Sequence, residues 1–391
     1  MSNTPAILFI HNTYLQKGGE DTVVQQEIEF LTTKGWQVHT LFFSNETIGN
    51  PILRWLNALS VFFNLSAAIK VYKLVKKYSI PVVHVHNFYY RASAAVFWGA
   101  KAAGARTVFT LHNYRLFCLN GFFFYNQTTC MDCQQQKSFA LGIARKCFKG
   151  SGFLSRMLAA STVWHRRIGT WQHKVDQFLV LNPLQQQSLM TTGIPADKIM
   201  LKPNFLQETI PPTSYDQRED FFLFAGRMSP EKGIVGLINA VKGQKIPLLL
   251  VGDGPLASWI ITQTDEWIQY RPKVNKPVLQ ELYRKCKALI FPSIWPEGLP
   301  LTVIEAQQAG TIVIAALSEN LKEMIRHHEN GFLYDALHPD ELLRIVALFH
   351  EMDLKEKNRL SANAYDFFQQ HYTIEQHDQW LMKAYQLSMN P

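Results

Sequence analysis

The 391-residue sequence predicts an α/β protein made of two doubly wound, parallel-sheet domains. Three observations carry that expectation. Short apolar runs alternate with longer amphipathic stretches, the pattern of βα repeats around buried parallel strands. A hydrophobic content of 47% over this length exceeds what one core usually accommodates. A polar stretch near the middle, "LKPNFLQETIPPTSYDQRED", interrupts the repeat, and its Pro203, Pro211 and Pro212 break any regular element. The expected domains are therefore 1–204 and 205–371, with 372–391 a C-terminal helix returning to the first domain.

In the first domain "AILFI", "WQVHTLFF", "PVVHVH", "RTVFTL" and "QFLVL" read as buried strands, joined by helical segments near 22–34, 51–78, 90–104 and 153–174. In the second, "FFLFAG", "IPLLLVG", "EWIQY", "ALIFPS" and "TIVIAA" play the same part. After Ala336 the pattern is helical to the end, and "IEQHDQWLMKAYQL" is the segment expected to brace the first domain.

The net charge of +8 is unevenly placed. Residues 1–200 hold 20 Lys and Arg against 8 Asp and Glu, leaving +12 there and −4 in the remainder. Between residues 47 and 175 there are 17 Lys and Arg and a single acid, Asp132, a bias that points to an anionic partner. Within it, "PILRWLNALSVFFNLSAAIKVYKLVKK" is apolar with Lys70, Lys73 and Lys77 on one helical face, as in helices that lie on anionic membranes. A buried crossover helix with a solvated basic end explains most of the same apolar residues.

No apolar run reaches the roughly 18 uncharged residues of a membrane span, and "MSNTPAILFIH" has no basic stretch ahead of its apolar residues. The expected location is the cytoplasm, peripheral on the inner face of the membrane. The aromatic residues sit mostly inside apolar runs rather than interleaved with Lys and Arg, so no nucleic-acid partner is expected, and a basic nucleic-acid-binding protein is the remote alternative. Five cysteines fit a reducing compartment. Cys286 stands alone; Cys118, Cys130, Cys133 and Cys147 fall within 30 residues. That cluster suits either a structural four-thiolate zinc site or four reduced cysteines packed under a loop.

The residues that carry chemistry sit after the strands of the second domain. "FPSIWPEGLPLTVIEAQQAG" places Glu297 in a loop and Glu305 on the next helix, which Pro300 is expected to open as its first residue. Glu305 then lies about one and a half turns in, roughly 7 Å along at ~1.5 Å per residue. Between the two acids is a helix N-terminus, which attracts phosphate. A ligand with hydroxyls at both ends and phosphates between them satisfies all three features. "FFLFAGRMSPEKG" adds Arg227 and Lys232 at a strand's carboxyl end, where open α/β sheets bind ligands and where two cations suit a diphosphate. "VGDGP" is a third such turn, in which Gly252 allows close backbone approach.

Taken together these motifs resemble the family-4 glycosyltransferases, retaining enzymes of the GT-B fold with two facing Rossmann-like domains and a cleft between them. The resemblance runs from "LQKGGEDTVVQQEIEFLTTKGWQV" through "VVHVHN", "TLHNY", "LKPNF", "FAGRMSPEKG" and "VGDGP" to the Glu-x7-Glu motif. It implies that Arg227 and Lys232 bind the donor diphosphate, Glu305 the ribose hydroxyls and Glu297 the hydroxyls of the donor sugar, with Gly19 and Gly252 also on the donor side. Backbone groups at Leu299 and Leu301 add sugar and phosphate contacts; Pro300 departs from the glycine often found there and removes one N–H. His112 resembles the active-site histidine that contacts the transferred sugar, and Gly18 and His86 are expected at the acceptor or in the cleft.

The implied reaction is metal-independent transfer of a sugar from a nucleoside-diphosphate sugar to a hydroxyl on a glycan or lipid-linked acceptor, in cell-surface polysaccharide or glycolipid synthesis. No Asp-x-Asp occurs in the chain, and no cofactor is required for catalysis. A GT-B nucleotide-sugar epimerase or hydrolase is the alternative that shares these motifs.

Overall fold

The structure, a computed structural model, describes residues 4–13, 18–44, 60–89, 91–208 and 210–386. They form two compact units. The first comprises 4–122, 131–204 and 377–386, and the second 123–130 and 205–376.

The first unit is a parallel sheet of β1 (Ala6–Thr13), β2 (Gln37–Ser44), β3 (Val82–Val85), β4 (Arg106–Leu111), β7 (Gln177–Val180) and β8 (Ile199–Leu201), in the order β2-β1-β3-β4-β7-β8. A hairpin of β5 (Phe124–Tyr125) and β6 (Thr128–Thr129) belongs to the second unit. The second sheet is also parallel and contains β9 (Phe222–Ala225), β10 (Leu248–Val251), β11 (Ile268–Arg271), β12 (Ala288–Phe291), β13 (Ile312–Ala316) and β14 (Gly331–Tyr334), ordered β11-β10-β9-β12-β13-β14.

Both sheets are doubly wound, as the alternation of apolar and amphipathic segments predicts. Central strands such as β3, β9, β10, β12 and β13 are buried along their whole length because helices cover both faces of a parallel sheet. "WQVHTLFF" and "EWIQY", expected as buried strands, instead form the half-exposed edges β2 and β11. The edge strands β8 and β14 at the opposite ends were not expected. They have only three and four residues.

The expected helix near 22–34 is Gly19–Thr33. Of the one expected at 51–78, the structure contains Leu65–Tyr78, and 51–59 lies outside the described residues. The segment 153–174 is divided into Gly152–Arg167 and Thr170–His173 by Gly169, at φ +68°. The last helix, Ile374–Tyr385, joins the first unit from His377 onward. There Arg106 Nε donates to the Ala384 carbonyl at 2.9 Å, and Lys34 pairs with Asp378.

The two sheets differ in where the strand order reverses. In the first the reversal falls between β1 and β3, in the second between β9 and β12. Loops leaving adjacent strands diverge at such a point and open a crevice at the strands' carboxyl ends. It is around these two places that the motif residues gather.

Candidate functional site

In the second unit, β9 and β12 lead directly into the two motif loops. β9 runs into Gly226, Arg227 and the short 3-10 turn Pro230–Lys232; β12 runs into Pro292, Ser293 and Glu297. Lys232 Nζ lies 2.6 Å from Glu297 Oε1, and Ser293 Oγ donates to that same oxygen at 2.6 Å. Asn320 Nδ2 donates to the Glu297 carbonyl. Glu297 is buried, with Lys232 less so, and the ammonium lies 5.4 Å from the Trp295 ring centroid and 5.7 Å from that of Phe291. A cation seven residues beyond the end of β9 and a carboxylate six beyond the end of β12 would have no reason to meet without this reversal.

Gly233 makes the close approach possible. Its φ is +69°, and a Cβ there would lie 1.8 Å from the Pro292 carbonyl oxygen, so only glycine lets the two loops pass. The third turn is locked in the same way: a Cβ on Gly252, φ +151°, would lie 1.8 Å from the Gly226 oxygen. Gly226 N–H donates to Val251 O and Met228 N–H to Asp253 O. Arg227, between them, is exposed and has no ion-pair partner among the described residues.

Pro300 is not the first residue of the following helix, as its sequence position suggested, but its N-cap, with φ −71° and ψ 116°. Its carbonyl still accepts from Val303 N–H and Ile304 N–H. The helix is Leu301–Gln308, and Glu305 is its fifth residue. Tyr283 OH donates to Glu305 Oε2 at 3.1 Å. Burial pushes the Glu305 carboxyl up to about 7, although Tyr283 and Lys276 pull the other way. Leu299 is buried and Leu301 half-buried beside it.

In the first unit, Gly18 precedes helix Gly19–Thr33 in an extended conformation, with open space where a Cβ would point. Its N–H donates to Asp21 Oδ2 at 2.9 Å, and Asp21 Oδ1 lies 3.0 Å from His11 Nε2. His112 follows β4 and is half-buried. His86, expected at the acceptor or in the cleft, is 2% exposed, with Nδ1 2.9 Å from His112 Nε2. Of the four clustered cysteines, Cys118 is buried and donates to Asn120 Oδ1 at 3.0 Å, Cys133 Sγ packs against Gly142, and Cys130 belongs to the second unit.

The models of two glycosyltransferase families cover nearly the whole chain: Glycosyltransferase Family 4 matches residues 17–208, and Glycosyl transferases group 1 matches residues 207–367. The chain belongs to the family-4 glycosyltransferases. Among curated relatives, a D-inositol 3-phosphate glycosyltransferase of Streptomyces scabiei is 29% identical over 164 residues, 37% of this chain and 36% of that one. The O-antigen chain mannosyltransferase C of Escherichia coli is 22% identical over 165 residues, 40% of this chain and 44% of the relative. The chain thus spans less than half the length of these curated relatives. Among solved structures, Anabaena HepE in complex with UDP superposes with a TM-score of 0.69 at 16% identity, covering 98% of this chain and 100% of HepE. HepE has also been solved with UDP-glucose.

Within this family member the sequence motifs account for one part of the first unit and leave another unnoticed. Glu27 and Lys202 are both fully buried, and Lys202 Nζ lies 2.5 Å from Glu27 Oε1. The signal was present: Glu27 shares the inward face of its helix with Val23, Val24, Phe30 and Leu31, and an acid on an apolar face requires a buried partner. Around it stand His86 Nε2 at 3.3 Å, His377 Nε2 at 3.4 Å and His84 Nδ1 at 3.6 Å. Glu27, His84 and His86 have the spacing of a cation site, but the Lys202 ammonium already supplies the positive charge.

Proposed function

We propose that the chain is a retaining, metal-independent glycosyltransferase. It moves a sugar from a nucleoside-diphosphate sugar to a hydroxyl acceptor in the synthesis of a cell-surface polysaccharide or glycolipid. The observation that carries this reading is the Lys232–Glu297 pair at the β9/β12 reversal, with Glu305 eight residues after Glu297 on the following helix. A ligand that exchanges this pair must offer an anion to the ammonium and hydroxyls to the carboxylate, which a sugar diphosphate does. Arg227 on the neighbouring turn supplies a second cation, and the helix beginning at Leu301 supplies unpaired N–H groups. These groups would stabilise the charge that develops on the departing diphosphate, the role a divalent ion plays elsewhere. Uridine is the first base to test, because HepE holds UDP and UDP-glucose.

In this reading the two glutamates do different work. Glu305 holds the ribose hydroxyls, so Glu305→Gln weakens donor and free UDP alike. Glu297 meets only the sugar, so Glu297→Gln leaves UDP affinity nearly intact and lowers kcat, as expected for a contact that tightens in the transition state. Titrating both variants with UDP and then assaying acceptor-dependent UDP release tests the assignment; equal losses of UDP affinity would sink it. Release of UDP without any acceptor would favour the hydrolase alternative.

The acceptor reading rests on helix Leu65–Tyr78. Leu65, Ile69 and Tyr72 form an exposed stripe on it, flanked by Lys70, Lys73, Lys76 and Lys77 with no acid between them. Such a face suits an anionic membrane surface carrying a lipid-linked acceptor. No described helix is long and apolar enough to cross a membrane.

A further inference from the structure

The network behind His112 has a direction. His86 bridges Glu27 and His112, with Nε2 3.3 Å from Glu27 Oε2 and Nδ1 2.9 Å from His112 Nε2. We propose that Glu27 is a positioning residue that, through His86, holds the His112 ring in one neutral tautomer, with the proton on Nε2 and the lone pair on Nδ1.

The argument is one of proton counting. A neutral imidazole has one N–H and one lone pair. If His86 turned a lone pair toward the Glu27 carboxylate, two regions of negative charge would face each other in a buried site, where little solvent screens them. The His86 proton therefore belongs on Nε2. Its Nδ1 is then an acceptor, so the bond between the two histidines needs a proton from His112 Nε2, and His112 keeps its lone pair on Nδ1. The consequence for transfer rests on the function proposed above: His112 meets the sugar as a hydrogen-bond acceptor from a hydroxyl, not as a donor.

The surroundings keep the rings neutral. Burial lowers His84, His86, His112 and His377 below their ordinary value, reinforced by His86 for His84 and His112 and by Lys202 for His377. Burial alone would raise the Glu27 carboxyl, but Lys202 and His86, then His377, outweigh it and hold Glu27 well below the usual range. The buried charges are thus one carboxylate and one ammonium. His84 is held separately, with Nδ1 2.9 Å from Tyr385 Oη and Nε2 2.8 Å from Thr110 Oγ1. Among the described residues His11 also lies nearby, engaged with Asp21 and Glu20. Neither Glu27 Oε2 nor His86 Nε2 has another hydrogen-bond partner among the described residues, so each is available to the other.

The test reads the tautomer directly. Histidine-labelled protein without any donor is examined by 1H–15N correlation NMR, with His112 assigned from the signals lost in His112→Gln. The wild type is expected to carry the His112 proton on Nε2; a proton on Nδ1 overturns the proposal. Glu27→Met combined with Lys202→Met removes both charges at similar volume, and the Nδ1–H form of His112 should then appear; an unchanged Nε2–H signal in that folded double variant also overturns it. The wild-type spectrum alone keeps the idea falsifiable if the double variant does not fold. In the transfer assay the double variant should lose about 10-fold or more in kcat, the scale seen when the partner that orients an essential imidazole is removed, while UDP affinity stays within about twofold of the wild type. Failure of the wild type to bind UDP would count against the proposed function and leave the tautomer result standing.

Discussion

The two strand-order reversals are built from the same architecture and handle charge in opposite ways. At β1/β3 the ionisable groups are sealed in: Glu27, Lys202, His84, His86 and His377 are all buried, and the charges compensate one another. At β9/β12 they remain reachable: Lys232 is partly exposed, Arg227 is exposed, and Glu305 is half-buried with no ion-pair partner among the described residues. A sealed ion pair has no free valence for a ligand and serves to orient what lies next to it. A half-open one can exchange its partner for a ligand. The difference separates a region that positions from a region that binds.

The largest expected effect tests the sealed pair. Glu27→Gln leaves the Lys202 ammonium buried without its partner and should cost about 3–5 kcal/mol, read by hydrogen exchange in the first unit, with Lys202→Met recovering most of the loss. A cost below about 1 kcal/mol would mean that the pair is not ionised in the folded chain. Acid should act on the same region. Because the four imidazoles titrate below 6.5 when folded and at 6.5 when unfolded, the unfolded chain binds more protons as pH falls below 6.5. Stability there is present above that pH and lost beneath it.

At the half-open site, Lys232→Ala should weaken UDP binding by about 1.5–3 kcal/mol, the range of a charge-assisted hydrogen bond; Arg227→Ala should do so as well. Calorimetric titration with UDP measures both, and unchanged affinity in both variants would remove the phosphate role.

Glu305 sharpens the contrast because its pH response has the opposite sign. Its carboxyl titrates at about 7 when folded against 4.5 when unfolded. The stability it contributes is therefore present below 4.5 and lost as pH rises through about 7. Without ligand at pH 8, Glu305→Gln should stabilise the second unit by about 1–3 kcal/mol while weakening UDP. Equal stability of variant and wild type across pH 5–8, by hydrogen exchange, would show the group is not buried as a carboxylate. The smallest effect per residue belongs to the basic helix: neutralising Lys70, Lys73 or Lys77 should lower affinity for anionic vesicles by about 1 kcal/mol each. Indifference of the wild type to such vesicles at low salt would assign that face to another partner.

Much of the half-open site was legible because its residues follow strands directly. The apolar runs ending at Ala225 and Phe291 mark where each loop begins, and Arg227, Lys232, Glu297 and Glu305 lie 2, 7, 6 and 14 residues beyond those ends. Local order along the chain is enough to find them. The sealed site was illegible for the converse reason. Glu27 is on the first helix, His86 and His112 follow different strands, Lys202 follows β8, and His377 comes from the last helix. No spacing links residues separated by 175 positions, as Glu27 and Lys202 are.

The sequence by itself determined the alternation of strand and helix, the polar break between two domains, the excess of positive charge in the first half and the motif loops of the second. Each is written in the order of neighbouring residues, through period, composition or turn chemistry. Only the tertiary structure decided that "WQVHTLFF" is an edge, that Lys232 meets Glu297, and that a glutamate on an apolar helix face finds a lysine and three histidines. Those outcomes depend on which strands lie side by side. Strand order is set by the packing of whole elements, and burial then compels each charge to find its partner.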